Sequence, residues 1–133
     1  MATLPSSPKI LVVDDDVHVA ETLELIFMAR GYKVRKANSA EEAIETISNW
    51  EPELAIVDVM LPRMNGIEFG EVLHSNYPNC QLILVSGHPG TEDLLNMARK
   101  DGQPLLEILA KPLHPRRILE IVAGLLPGSA GEA

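Results

Sequence analysis

The chain reads as an α/β protein of (βα)5 pattern, a doubly wound five-stranded parallel sheet with helices on both faces. Three observations predict this. Five short runs rich in Ile, Val and Leu recur at intervals of about 20–28 residues, three of them are apolar without a break, and the segments between them have helical periodicity. An unbroken apolar run is what a strand buried on both faces needs, because neither side meets water. Strict alternation of strand and helix then requires right-handed crossovers.

The first run, Lys9 to Val13, contains Ile10-Leu11-Val12-Val13 and ends on Asp14-Asp15-Asp16. Asp16 is suited to cap the helix that follows, which Val19, Leu23, Ile26 and Phe27 mark and which ends near Gly31. Lys33 to Ala37 is the second strand. Ser39 and Glu42 fit a capping box, with Ala40, Ala43, Ile44 and Ile47 as the apolar stripe behind it. The third strand, Glu53 to Val57, contains Leu54-Ala55-Ile56-Val57 and leads into Asp58; Ile67 to Ser75 is the next helix. Gln81 to Val85 is the fourth strand, ending at Ser86, and Thr91 caps a helix through about Lys100. Leu105 to Ala110 leads into Lys111. Pro115 opens the last helix, with Ile118, Ile121, Val122, Leu125 and Leu126 along one face.

A length of 133 residues suits one domain, with 46% hydrophobic and 23% charged residues as in ordinary globular proteins. The expected layout is a loose N-terminus over residues 1–8, one domain over residues 9–126, and a loose Gly- and Ala-rich tail over residues 127–133. Eleven Lys plus Arg against nineteen Asp plus Glu leaves a net charge of −8, which disfavours binding of nucleic acid or anionic membrane by this domain. A single cysteine, Cys80, allows neither an internal disulfide nor a structural zinc site. No secretory leader pattern and no apolar run near the ~18 residues of a membrane span is present, so the expected location is cytoplasmic.

Sheets of this class bind ligands beyond the carboxyl ends of their strands. There stand Asp14, Asp15 and Asp16 after the first strand, Asp58 after the third, Ser86 after the fourth and Lys111 after the fifth. Four of the six Asp of the chain therefore gather at two strand ends. Taken singly, Ser86 before a glycine is an ordinary turn residue and Lys111 an ordinary strand-end lysine; jointly they describe a site. Neighbouring carboxylates repel, so Lys111 or a divalent metal must join them, and an oxygen-only donor set selects a hard cation such as Mg²⁺. Metal, carboxylate, hydroxyl and ammonium together are the parts of an in-line phosphoryl transfer to an aspartate.

At these residues the sequence resembles the receiver domain of two-component response regulators. The resemblance is carried by Ile10 to Asp16, by Asp58-Val59-Met60-Leu61-Pro62-Arg63-Met64-Asn65-Gly66, by Leu84-Val85-Ser86-Gly87 and by Lys111-Pro112, and it spans roughly residues 8 to 126. It implies the CheY-like, flavodoxin-like strand order 2-1-3-4-5. It further implies Asp58 as phosphoacceptor, Asp15 as a direct Mg²⁺ ligand, Asp14 as a ligand through water and Met60 as a ligand through its carbonyl. Ser86 resembles the switch hydroxyl, Lys111 the phosphoryl-contacting lysine, and Lys111-Pro112 a cis peptide. The implied partners are a sensor histidine kinase or histidine phosphotransfer protein as donor and a downstream protein or output domain as target; whether phosphorylation pairs two copies stays open.

Three departures from the family pattern stand out. Ile108 occupies the position where an aromatic ring commonly signals. The stretch Ala98 to Leu106, with Asp101-Gly102-Gln103-Pro104, is longer than usual, which points to an unusual partner at that face. Met60 and His88 lie two residues beyond the acceptor and the switch serine, where members vary and tune dephosphorylation. Two other functions fit part of the pattern. A receiver-shaped docking module that is never phosphorylated would leave the intact chemical residues unused. A haloacid-dehalogenase-like phosphohydrolase would use Asp14 and Asp16, but it needs a further acidic pair after the lysine, where only Glu120 and Glu132 occur, and it leaves Asp58 idle.

Overall fold

A computed structural model describes residues 7–87, 96 and 105–126. The helix expected from Thr91, the Asp101 to Pro104 stretch, His88, residues 1–6 and the tail over 127–133 lie outside the described residues, as does the side chain of Ile108. Five strands are present: β1 (Lys9–Val13), β2 (Lys33–Ala37), β3 (Leu54–Asp58), β4 (Gln81–Ser86) and β5 (Leu105–Ala110). They form one parallel sheet in the order β2-β1-β3-β4-β5. The described helices are α1 (Val17–Met28), α2 (Ala40–Ile47), α3 (Gly66–Asn76) and α4 (Pro115–Leu125). Among the described residues no helix is long and apolar enough to cross a membrane.

The three unbroken apolar runs became the three central strands, while the edge strand β2 carries exposed Lys33 and Arg35. Side chains alternate across each strand and so sort into two cores. Leu11, Val13, Ala55, Val57, Leu82 and Leu84 pack with α2 and α3, around Phe69. Ile10, Val12, Leu54, Ile56, Ile83 and Val85 pack with α1 and α4, around Phe27. Both rings are fully buried, and each burial contributes about 1.5–3 kcal/mol of apolar transfer. Phe27 also meets Tyr32 edge to face, with centroids 6.0 Å apart.

The helix ends follow local chemistry. Asp16 caps α1 as expected, its carboxylate accepting from the backbone N–H of His18 at 3.0 Å and of Val19 at 3.3 Å. After α1 the chain reverses through Gly31, whose φ of 89° is the left-handed region that glycine adopts without cost. Ser39 caps α2, but the reciprocal bond expected of a capping box goes elsewhere: Glu42 accepts from the N–H of Asn38, one residue earlier, at 3.3 Å. The complete box belongs to α3, where Asn65 accepts from Glu68 N–H at 2.9 Å and Glu68 accepts from Asn65 N–H at 3.0 Å.

Cys80 sits buried at the foot of the sheet, where burial, assisted by the charges of Glu51 and Glu53, pushes its thiol up to about 12. Because the folded value lies above the ordinary 9.0, the protonated thiol stabilises the fold at and below pH 9, and that contribution is lost as pH rises from there toward 12. At pH 8 the folded protein should therefore react with a thiol-specific disulfide reagent only at the rate of its opening, and at once in urea; rapid reaction of the native protein would contradict the assigned burial.

Candidate functional site

Three consecutive aspartates leave β1 and do three different things. The Asp14 N–H donates to the Ala37 carbonyl at 3.1 Å, and the Asn38 side-chain amide donates to the Asp14 carbonyl at 3.1 Å, so the exits of β1 and β2 are tied together. This holds the Asp14 carboxylate inward, 3% exposed, with Oδ1 accepting from the Asp16 N–H at 2.9 Å. Asp15 is exposed, and Asp16 is spent on the α1 cap. Asp58 closes β3 itself, one residue further than the apolar run, because it still pairs in register with Val85. It too is 3% exposed, and its Oδ1 accepts from the Met60 N–H at 3.1 Å.

The loop after β3 turns back tightly. The Val59 N–H donates to Val85 and the Gly66 N–H donates to Val59, both at 2.9 Å. A Cβ on Gly66 would collide with the Asp58 carbonyl, so only glycine lets α3 begin this close to β3. Arg63 takes the left-handed turn position, with φ 62°, and its guanidinium lies 3.5 Å from Glu41.

Ser86 ends β4, one residue beyond the partner of Asp58, and is half-buried. Its carbonyl accepts from the Lys111 N–H at 3.0 Å, which fixes where β5 ends. The Lys111 stem then passes over Gly87, where an added Cβ would approach its Cδ to 3.1 Å and its Cβ to 3.2 Å. The Lys111-Pro112 peptide is cis. From this position the Lys111 ammonium reaches Asp58 Oδ2 at 2.9 Å and Asp14 Oδ2 at 3.0 Å.

One cation thus bridges two buried anions. Burial holds the Asp14 carboxyl above its usual range, with the nearby Asp58 charge adding to it, while the Asp16 N–H and Lys111 pull the other way. For Lys111, burial disfavours the ammonium, but its hydrogen bonds to Asp58 and Asp14 outweigh that and raise its pKa. Carboxylate oxygens of Asp14, Asp15 and Asp58 lie within 4.8 Å of one another. An all-oxygen set of three carboxylates, one of them penalised by burial, fits a hard divalent cation such as Mg²⁺.

The structure brings Asp14, Asp15, Asp58 and Lys111 into one cluster, with Ser86 at the adjoining strand end and the Met60 backbone on Asp58. Asn38, Gly66 and Gly87 support the cluster and were not singled out for these tasks from sequence. Gly87 after a strand-end serine and Asn38 after a strand-end alanine were the available signals, and turn chemistry alone accounts for both residue types.

The response regulator receiver domain family matches residues 10–123, and the chain belongs to that family. A CheY-like response regulator receiver domain protein from Methanospirillum hungatei superposes with a TM-score of 0.81 at 32% identity, covering 90% of this chain and 93% of that one. The DNA-binding response regulator MtrA of Mycolicibacterium paratuberculosis is 27% identical over 118 residues, 89% of this chain and 51% of its own length. The response regulator protein FleR of Pseudomonas aeruginosa is 29% identical over 125 residues, 91% of this chain and 26% of its own. The chain spans about half or less of the length of these two curated relatives.

In chelator-treated protein, Lys111→Met should cost about 3–5 kcal/mol, because it leaves two buried carboxylates uncompensated. Asp14→Asn, which keeps the shape and removes one like charge, should raise the urea midpoint. A stabilising Lys111→Met would refute the bridging role.

Proposed function

We propose that Asp58 is the phosphoacceptor of this receiver and that residues 9–126 act as the phosphorylated unit. The single observation that carries the reading is the Lys111 ammonium seated on both Asp58 and Asp14 at the carboxyl edge of a parallel sheet. The donor in this reading is a phosphohistidine of a sensor histidine kinase or phosphotransfer protein. The Asp58 carboxylate attacks phosphorus, a P–O bond forms as the P–N bond to the donor imidazole breaks, and the imidazole takes up a proton from solvent.

Each residue then has a physical task. The Met60 N–H orients the carboxylate through Oδ1, and Lys111 offers its ammonium to the phosphoryl oxygens arriving beside Oδ2. The Ser86 hydroxyl donates to one of those oxygens, which couples β4 and the loop after it to the acceptor's state. Asp15, Asp58, the Met60 carbonyl and, through water, Asp14 are the residues that would hold Mg²⁺. When bound, Mg²⁺ supplies positive charge against the equatorial oxygens. The domain in this reading catalyses only its own phosphorylation and dephosphorylation, and passes the change to a downstream protein or output domain.

Acetyl phosphate with Mg²⁺ should add one phosphoryl group, read by intact mass, to the wild type and none to Asp58→Asn, whose fold should persist by circular dichroism. Absence of any adduct on the wild type would leave a docking module as the function.

Mg²⁺ at about ten times its dissociation constant should stabilise the native state by about 1.4 kcal/mol, and Asp15→Asn should remove most of that gain. A melting temperature indifferent to millimolar Mg²⁺ would count against the ligand set.

A further inference from the structure

Far from the acidic cluster, the basic residues of this acidic chain are concentrated. Residues 30–36 hold Arg30, Lys33, Arg35 and Lys36, four of the eleven Lys and Arg. Strand alternation sends Lys33 and Arg35 to the sheet face shared with Ala37 and α2. Lys9 lies opposite Lys33 in register and faces the same way. The half-buried ring of Trp50, the one tryptophan of the chain, lies against two of these cations, its centroid 5.0 Å from Arg35 Cζ and 6.0 Å from Lys9 Nζ. Lys36 points to the other face and is paired with Glu24 at 2.7 Å. Lys9, Lys33 and Arg35 have no carboxylate partner among the described residues; Glu53, close by, accepts from the Lys9 backbone N–H at 3.2 Å.

The same strand presents an open edge. β2 pairs only with β1 among the described strands. The Lys33 N–H donates to Pro8 and the Ala37 carbonyl accepts from Asp14, so alternate residues serve β1 and the backbone groups of Val34 and Lys36 turn outward. Unpaired edges are commonly guarded by lysine, because a neutral strand that docks there must bury uncompensated charge. That guard inverts for an acidic strand. An extended chain with carboxylates at alternate positions repeats at about 6.6 Å, the spacing of Lys33 and Arg35 along β2.

We propose that the β2 edge, with Lys33, Arg35, Lys9 and Trp50, is a docking site for an extended acidic protein segment, added as a sixth strand with acidic residues at every second position. Trp50 and Arg35 are the residue types that dominate such contacts. A nucleic acid is disfavoured, because the −8 net charge repels a long polyanion while a short acidic segment meets only the local patch. The site runs along β1 away from Asp14: Arg35, opposite Leu11, is about 10 Å from it by strand rise and Lys9, opposite Lys33, about 16 Å. It therefore stands or falls independently of chemistry at Asp58.

The test titrates the full chain, at low salt, with a short peptide of alternating Thr and Glu, reading Trp50 emission together with amide exchange. A saturable change in emission, slowed exchange at Val34 and Lys36, and a loss of affinity of about tenfold or more in Lys33→Glu/Arg35→Glu are expected. The same double variant should gain binding to a Thr-Lys peptide while accepting a phosphoryl group from acetyl phosphate as the wild type does. Three results would overturn the proposal: no saturable change with the Thr-Glu peptide, equal binding by the double variant, or preference for oligothymidylate over the peptide.

Discussion

Two carboxylates buried a few ångströms apart, Asp14 and Asp58, are the buried charged acids among the described residues, and the ammonium of Lys111 is what holds them there. Isolated charges in such an environment would neutralise or force the edge open. The surrounding structure can be read as a set of conditions for that contact. The Lys111 N–H is fixed on Ser86, the stem needs the bare backbone of Gly87, and Asp58 needs Gly66 behind it. A Cβ at Gly66 would collide with the Asp58 carbonyl, and one at Gly87 would crowd the Lys111 stem.

A parallel sheet makes these conditions compatible. All five strands finish at one edge, so residues as distant in sequence as 14, 58, 86 and 111 become neighbours without any of them leaving its own strand end. The apolar runs that precede them supply the stability that tolerates a costly edge. Ile10 to Val13 and Leu54 to Val57 are almost wholly buried, and each polar end group is the direct continuation of such a run.

Much of this was legible in the sequence because burial on both faces leaves an unmistakable pattern. β1, β3 and β4 stand out as unbroken apolar runs, whereas Lys33-Val34-Arg35-Lys36-Ala37, grouped with them as a strand, is not continuously apolar and forms the edge strand β2. Two strand ends were set one residue short, since an apolar run stops at Val57 and Val85 whereas the ladder goes on to Asp58 and Ser86. Capping was harder. Ser39 and Asn65 both precede a Glu at the third helical position, yet Glu68 reaches back to its own cap while Glu42 reaches Asn38, a difference the residue types do not encode. Sequence left Lys111 or a metal to join the carboxylates, and the ammonium does so; its placement on both follows from the backbone bond to Ser86 and the passage over Gly87, which residue order alone does not give.

The bridging contact also sets how a change at one carboxylate is felt elsewhere. Lys111 divides its charge between Asp14 and Asp58 at nearly equal distances, 3.0 and 2.9 Å. A group bearing more negative charge at Asp58 draws the ammonium toward itself, and Asp14, already disfavoured by burial, then loses part of its compensation. A cation at the Asp14, Asp15 and Asp58 cluster reverses that loss. The occupancy of the acidic cluster and the charge carried by Asp58 are therefore linked through one nitrogen, that of a residue whose backbone N–H is tied to the Ser86 carbonyl at the end of β4.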